Sequence, residues 1–589
     1  MKTANRPIHL FLALFFLISC VASPVPETVT ATIQPSVTVQ PSPTRPSTVE
    51  PTDTAQPTLT PVLLPTIPAT PVEPVIGLPQ GTDDYPWWND TVFYEVFVRS
   101  FYDSDGDGIG DFNGLTAKLD YMNDGDPNTT TDLGVTGLWL MPIHPSPSYH
   151  GYDVTDYYAV NPEYGTMDDF KHLLDEAHKR GIRISIDWVL NHTSIQHPWF
   201  QEAQDPDSPY RQWYRWTSER PTNPGWYPGG GQEYYYALFW VGMPDLNYAN
   251  PEVVAEMKKV ARFWLRDVGV DGFRLDAAKH IFEEGSVVEH TPQTHAWYKE
   301  LRAFYKGLNP QAMTVGEVWN DSDTVSTYLK GDELDLAFDF DLAKNTVFSA
   351  GAGRADDMSD VLVHDLELFR PGQFATFLTN HDQDRVMSVL NDDMDAAKNA
   401  ATLLLTSPGV PFLYYGEEIG MLGKKPDEDI RLPLQWSDEA NAGFTTGNPW
   451  RAPASDYTTK NIASQSADPN SLLSLYRRLI QIRNNHAALR VGDYYFIETG
   501  HPAVSASLRV SRNETVLIIV NLGSKLISDY ALNLENGPLS GDYVLAPLLD
   551  NGNFTSPAIT DQGGFENYQP LPELTPYGRF ILQLQPETK

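Results

Sequence analysis

From residue 90 onward, eight short apolar runs recur with room for an amphipathic segment between most of them, and few folds accommodate that alternation. The runs are 92–101, 135–143, 182–190, 272–277, 313–319, 334–340, 374–379 and 410–415, rich in Val, Ile, Phe and Trp. Such near-continuous apolarity is what strands buried on both faces of a parallel sheet require. Between them lie helical patterns. The spacing predicts a helix over 167–179 with Phe170, Leu173, Leu174 and Ala177 on one face, stopped by Gly181. A second, over 251–267, carries Pro251 in its first turn and presents Val254, Met257, Ala261 and Trp264 in register. Eight strands with interposed helices predict an α/β fold, a (β/α)8 TIM barrel. Residues 193–243, rich in Trp, Tyr, Pro and Gly and not helical in pattern, are expected as a small inserted subdomain after strand 3. The runs at 494–497, 504–508, 516–521 and 580–584 predict a C-terminal β-sandwich. The barrel then occupies residues 83–192 and 244–488, and the sandwich 489–589.

The chemistry of a barrel sits where its strands end. The third strand ends Asp187-Trp-Val-Leu-Asn191-His192, and the fourth runs Gly272-Phe-Arg274-Leu-Asp276-Ala277. Spacing of two puts Arg274 and Asp276 on one strand face. The fifth ends at Glu317 and the seventh at His381-Asp382. Singly, such acids are ordinary: an Asp at a strand end caps helices, and a buried Arg-Asp pair is often structural. Together, in chain order at one mouth, Asp276, Glu317 and Asp382 suit glycoside cleavage with retention, which needs a nucleophilic carboxylate and a second carboxyl about 5–5.5 Å away as acid and base. Arg274 is expected to lower the pKa of Asp276 and keep it ionised. Repulsion from two aspartates is expected to raise that of Glu317.

These segments resemble the conserved regions of glycoside hydrolase family 13, the α-amylase family. Residues 187–192, 269–280, 316–319 and 377–382 match four of its regions, and 134–143 and 409–421 its second- and eighth-strand signatures. Met243-Pro-Asp-Leu-Asn247 is similar to the motif of a subfamily intermediate between oligo-1,6-glucosidases and neopullulanases. The resemblance spans about residues 85–589 and implies Asp276 as nucleophile, Glu317 as acid/base and Asp382 as transition-state stabiliser. It also implies that Arg274, His192 and His381 contact the sugar and that Tyr152 stacks beneath it.

Bond preference divides the family features. Ala277 after the nucleophile, and Lys279-His280 as a grip on the leaving side, resemble endo-acting α-1,4 enzymes. Asp153 and Arg431 resemble the pair that closes the non-reducing end of the pocket in oligo-1,6-glucosidases. The expected activity is endo α-1,4 hydrolysis of starch and maltodextrins. Exo α-glucosidase, oligo-1,6-glucosidase or neopullulanase-like action is the alternative, and a maltodextrin-binding surface lipoprotein the non-enzymatic one.

Asp103-Ser-Asp105-Gly-Asp107-Gly-Ile109-Gly-Asp111 concentrates oxygen donors around tight turns, as Ca²⁺ requires. Gly114 at position twelve excludes an EF-hand. The resemblance implies that Ile109 ligates through its carbonyl. It also implies a second Ca²⁺ at Asn191, Asp245 and the carbonyl of His280, where local capping is the simpler account.

The chain opens with Lys2 and Arg6, an apolar stretch from Ile8 to Ile18 interrupted only by His9, and Leu17-Ile18-Ser19-Cys20. Cys20 is the single cysteine, which excludes an internal disulfide and a thiolate metal site. The segment reads as a signal peptide over residues 1–19 and resembles a lipoprotein box with Cys20 as the lipidated residue; a plain signal is the alternative. Residues 21–80 hold 14 Pro, 12 Thr and five charged side chains, so 20–82 is expected as a disordered, semi-rigid tether. The expectation is an exported, monomeric enzyme, lipid-anchored at the cell surface. With 41 basic against 77 acidic residues, a net charge of -36 disfavours a nucleic-acid partner.

Overall fold

The computed structural model describes residues 76–230 and 232–587. The segment expected as a signal peptide, Cys20 and the expected tether as far as residue 75 lie outside the described residues. Residues 76–82, assigned by composition to the tether, lie against the barrel: the Ile76 N–H donates to the Gly125 carbonyl at 2.7 Å and Arg183 donates to that of Pro79 at 3.0 Å. Among the described residues no helix is long and apolar enough to cross a membrane.

The eight expected strands close into a parallel barrel in the order β1 (Phe93–Val96), β2 (Gly137–Leu140), β3 (Arg183–Val189), β7 (Gly272–Asp276), β8 (Met313–Gly316), β9 (Leu336–Phe338), β10 (Phe374–Thr376) and β11 (Val410–Tyr414). Alternation sorts their side chains. Phe93, Trp139, Val315, Phe338 and Phe412 fill the interior, with Phe93 and Phe412 stacked at 4.4 Å, whereas Tyr94, Leu138, Ile184, Phe273 and Leu275 pack outward against the helices. The register places Asp187 beside Arg274 across β3 and β7.

The helix Met167–Lys179 forms as predicted. Thr166 and Asp169 make a capping box, Phe170, Leu173, Leu174 and Ala177 are buried, and Gly181 at φ 78° ends the turn. The helix Pro251–Arg262 continues as a wider π turn, Phe263–Val268, and buries Val253 rather than the expected Val254. Both valines lie within one turn of Met257, and sequence periodicity alone does not separate them. The insertion after β3 carries the three-stranded sheet β4 (Trp216–Thr217), β6 (Tyr234–Tyr236), β5 (Trp226–Pro228). It also contains a short helix, Pro198–Ala203, correcting the expectation of no helix; His197 caps it and Pro198 starts it.

The C-terminal sandwich pairs a five-stranded antiparallel sheet, β12 (Asp493–Phe496), β13 (Val504–Ser511), β14 (Glu514–Asn521), β18 (Arg579–Pro586), β16 (Tyr543–Leu549), with the ribbon β15 (Leu532–Leu534), β17 (Phe565–Tyr568). Leu508, Leu517, Ile519, Phe565 and Leu582 form its core.

Candidate active site

The ends of β3, β7, β8 and β10 deliver four acids around one cation. Arg274, 1% exposed, donates through Nη1 to Asp187 Oδ1 at 2.9 Å and to Asp276 Oδ1 at 2.7 Å, and through Nη2 to Glu317 Oε2 at 2.7 Å. Neighbouring nitrogens of one guanidinium therefore set Asp276 and Glu317 side by side, a spacing compatible with the ~5–5.5 Å of retaining glycosidases. Asp382 closes the group. Its Oδ1 accepts from Arg431 at 2.9 Å and its Oδ2 lies 3.1 Å from His381 Nε2. Ala277 turns the chain at φ 48°, which lets its N–H reach Glu317 Oε2 at 3.1 Å. A β-branched residue would be strained at that φ.

Asp276, Glu317 and Asp382 face a cavity of about 520 Å³ that Tyr152, His192, Lys279, His280 and Arg431 also line, with Asp187 buried behind them. Arg274 and His381 sit behind those side chains, fully buried. The His192 Nε2 is buried without a partner, and burial pushes the ring down to about 4, leaving a neutral imidazole beside the cavity. Lys279 donates to the Trp319 carbonyl at 3.0 Å, and His280 Nδ1 lies 2.8 Å from the Val288 carbonyl.

Charge is distributed unevenly among the acids. Burial raises Glu317; Arg274 opposes this, and the negative charges of Asp276 and Asp382 add to it. The direction is the expected one, but its first cause is desolvation rather than repulsion. The lowered pKa expected for Asp276 is corrected: burial raises it, and the lowering by Arg274 does not overcome that. Both carboxyls are thus raised by burial, lowered by Arg274 and raised by Asp382; His381 lowers Asp276 besides, and Asp276 raises Glu317. Burial works to raise Asp382 as well, but His381, Arg431 and Arg274 hold it far below the usual carboxylate range.

Asp153 does not pair with Arg431. Its Oδ1 accepts from the hydroxyls of Ser146, at 2.6 Å, and Ser148. Those donors lie only seven and five residues away in sequence, and both engage Oδ1. Arg431 is left to Asp382 and, at 3.5 Å, to Asp427, which also lines the cavity. Asp427 was missed, although its i,i+4 spacing to Arg431 was a visible signal. The exposed Phe239, Trp240 and Trp319 at the mouth were missed too, as was Glu95, the one acid in an apolar strand.

In the 103–111 loop, Asp103, Asp105 and Asp111 bring carboxylate oxygens within 4.8 Å of one another. Asp107 stands outside that group and accepts the Ile109 N–H at 2.8 Å. Burial raises Asp107, the Ile109 N–H lowers it, and the three neighbouring aspartates raise it further. Gly106 and Gly108 sit at φ 86° and 98°, and a Cβ on Gly108 would stand 1.8 Å from the Asn448 carbonyl oxygen. Three hard oxygen donors on a tightly wound loop fit Ca²⁺. At the second expected site, Asp245 accepts from the Asn191 amide and from the Leu238 N–H at 2.8 Å, and burial pushes it up to about 7. Local donors thus contact that carboxylate, and His280 lines the active-site cavity.

A model of the alpha amylase catalytic domain matches residues 95–492. Alpha-amylase 3 of Dictyoglomus thermophilum is 44% identical over 448 residues, covering 74% of this chain and 85% of that protein. The oligo-1,6-glucosidase of Parageobacillus thermoglucosidasius is 34% identical over 525 residues, covering 74% and 91%. The crystal structure of alpha-amylase from H. orenii superposes with a TM-score of 0.73 at 38% identity, covering 84% of this chain and 99% of that one.

Proposed function

The chain belongs to glycoside hydrolase family 13, the α-amylase family, and from that premise we propose that it is an endo-acting, retaining α-1,4-glucanase of starch and maltodextrins. One observation carries the endo assignment. Asp153 is held by Ser146 and Ser148, so the Asp153–Arg431 closure expected of an exo pocket is not formed. Exposed Phe239, Trp240 and Trp319 at the cavity mouth offer flat faces to further glucose units.

In this mechanism Asp276 attacks the anomeric carbon while Glu317 gives its proton to the departing glycosidic oxygen, leaving a glucosyl ester on Asp276. Glu317, now ionised, takes a proton from water, whose oxygen displaces Asp276 and restores both groups. Asp382, clamped on both oxygens, stays ionised to hold hydroxyls of the flattening ring. Neutral His192 accepts or donates one hydrogen bond through its free Nε2. Asp103, Asp105 and Asp111 would hold Ca²⁺, which would supply positive charge against their mutual repulsion, while the Thr445 hydroxyl donates to Asp103 and ties the loop to its own segment.

Product profiles test the endo assignment. Soluble starch should yield mid-length maltooligosaccharides before glucose accumulates, with little attack on isomaltose. Glucose as the first and sole product would overturn it. That outcome would favour an oligo-1,6-glucosidase-like enzyme, an alternative supported by the Asp427–Arg431 pair on the cavity wall and by the relative of that name.

We also propose that the enzyme is exported and lipid-anchored through Cys20, on the basis of the basic, apolar and Leu-Ile-Ser-Cys segments in order. Palmitate labelling of the expressing bacterium should mark the wild type and not Cys20→Ser. Equal labelling would refute the anchor.

A further inference from the structure

Glu95 stands inside the barrel on β1, 2% exposed and not among the residues that line the cavity. Its Oε1 lies 2.5 Å from Nδ1 of His381, 286 residues further along the chain. The His381 ring is fully buried, packed edge-on against Trp139. Its Nε2 lies 2.6 Å from the Tyr152 hydroxyl and 3.1 Å from Asp382 Oδ2, and that hydroxyl donates to Asp187 at 3.2 Å. With Glu95 as a carboxylate, these hydrogen bonds are satisfied together only when both ring nitrogens carry protons. Nδ1–H then donates to Glu95, Nε2–H to Asp382 and the Tyr152 oxygen, and the tyrosine proton goes to Asp187. A neutral ring would set an unprotonated nitrogen against a buried anion.

We propose that Glu95 is a positioning residue: it holds His381 as an imidazolium whose Nε2–H, with Arg431, fixes the two oxygens of Asp382 toward the sugar. This deepens the proposed function and rests on the role assigned there to Asp382.

The surroundings agree. His381 is faced by the anions Glu95, Asp382, Asp187 and Asp276, by the cations Arg274 and Arg431, and by the hydroxyl of Tyr152, with Tyr414 next to Glu95. Burial alone would lower the ring, but Asp382 and Glu95 raise it to about 9. Its charged form is therefore favoured in the folded protein. The stability this contributes is complete below the ordinary imidazole range and is lost as pH rises through about 9.

The test is Glu95→Gln, which retains a carbonyl for Nδ1–H and removes the charge. In ¹⁵N-histidine NMR, with the signal assigned by its loss in His381→Asn, the ring should titrate about one to three units lower in the variant than in wild type. On starch, kcat of the variant should lose about tenfold more at about pH 8.5 than at about pH 6. A misfolded or merely loosened barrel would lose activity equally at both pH values. An unchanged ring titration overturns the imidazolium role of Glu95, and a shifted ring with a pH-independent loss of kcat overturns its link to Asp382. Glu317→Gln measured alongside separates the two levels. If that variant keeps full activity the catalytic assignment falls, while the ring titration still decides what Glu95 does.

Discussion

Glu317→Gln should give a folded protein whose kcat on starch is about 10²–10⁴-fold below wild type. The side chain is nearly isosteric, and its amide oxygen can still accept from Arg274 Nη2 and the Ala277 N–H, so the site keeps its shape. What is lost is the proton for the departing oxygen and, after it leaves, the base for water. The loss should depend on the leaving group. A glucosyl fluoride, whose fluoride departs without protonation, should recover much of the first step, whereas starch should not. Stopped-flow measurement of fluoride release beside reducing-sugar release from starch separates the two steps. An unchanged rate on starch would remove Glu317 from the acid/base role.

Removing calcium should produce the largest change in stability. Asp103, Asp105 and Asp111 hold their oxygens within 4.8 Å, and Asp107 is pushed upward by burial and by those same neighbours. Asp103 is spared only because the Thr445 hydroxyl and the N–H groups of Gly106, Gly108 and Asp105 outweigh its burial. A bound cation present at a hundredfold excess over Kd adds about 3 kcal/mol to unfolding. Urea unfolding in EDTA should therefore have a lower midpoint than in calcium, and magnesium should restore little because it demands a smaller, octahedral site. Asp105→Ala, at the exposed corner of the group, should abolish the response to calcium and leave the calcium-free protein no less stable, since one repelling charge is gone. A midpoint indifferent to EDTA in the wild type would dismiss the metal site.

The barrel was legible because each strand had to be apolar on both faces, but strand ends were not. The run 313–319 forms a strand only over Met313–Gly316, and 374–379 only over Phe374–Thr376. Beyond those strands Val318, Phe377 and Leu378 are buried in loops at the mouth, where apolarity no longer implies extended pairing, while Trp319 is exposed there. In the sandwich, β16 went unseen because Tyr543–Leu549 buries only its last residue and so lacks alternation. The subdomain helix Pro198–Ala203 is too short for a 3.6-residue period to register.

The chain alone determined the fold class, the acids Asp276, Glu317 and Asp382 that follow apolar runs, and an acidic loop that includes Asp103, Asp105 and Asp111. Those follow from local chemistry and short spacing, which neighbours in sequence suffice to express. Only the tertiary structure decided which partner each charge takes. Asp153 chose two serines over Arg431, burial outweighed Arg274 at Asp276, and Glu95 met His381 across 286 residues. Coulomb energies vary with separation and with exclusion of water. Neither quantity is written in a linear order of residues until the barrel closes.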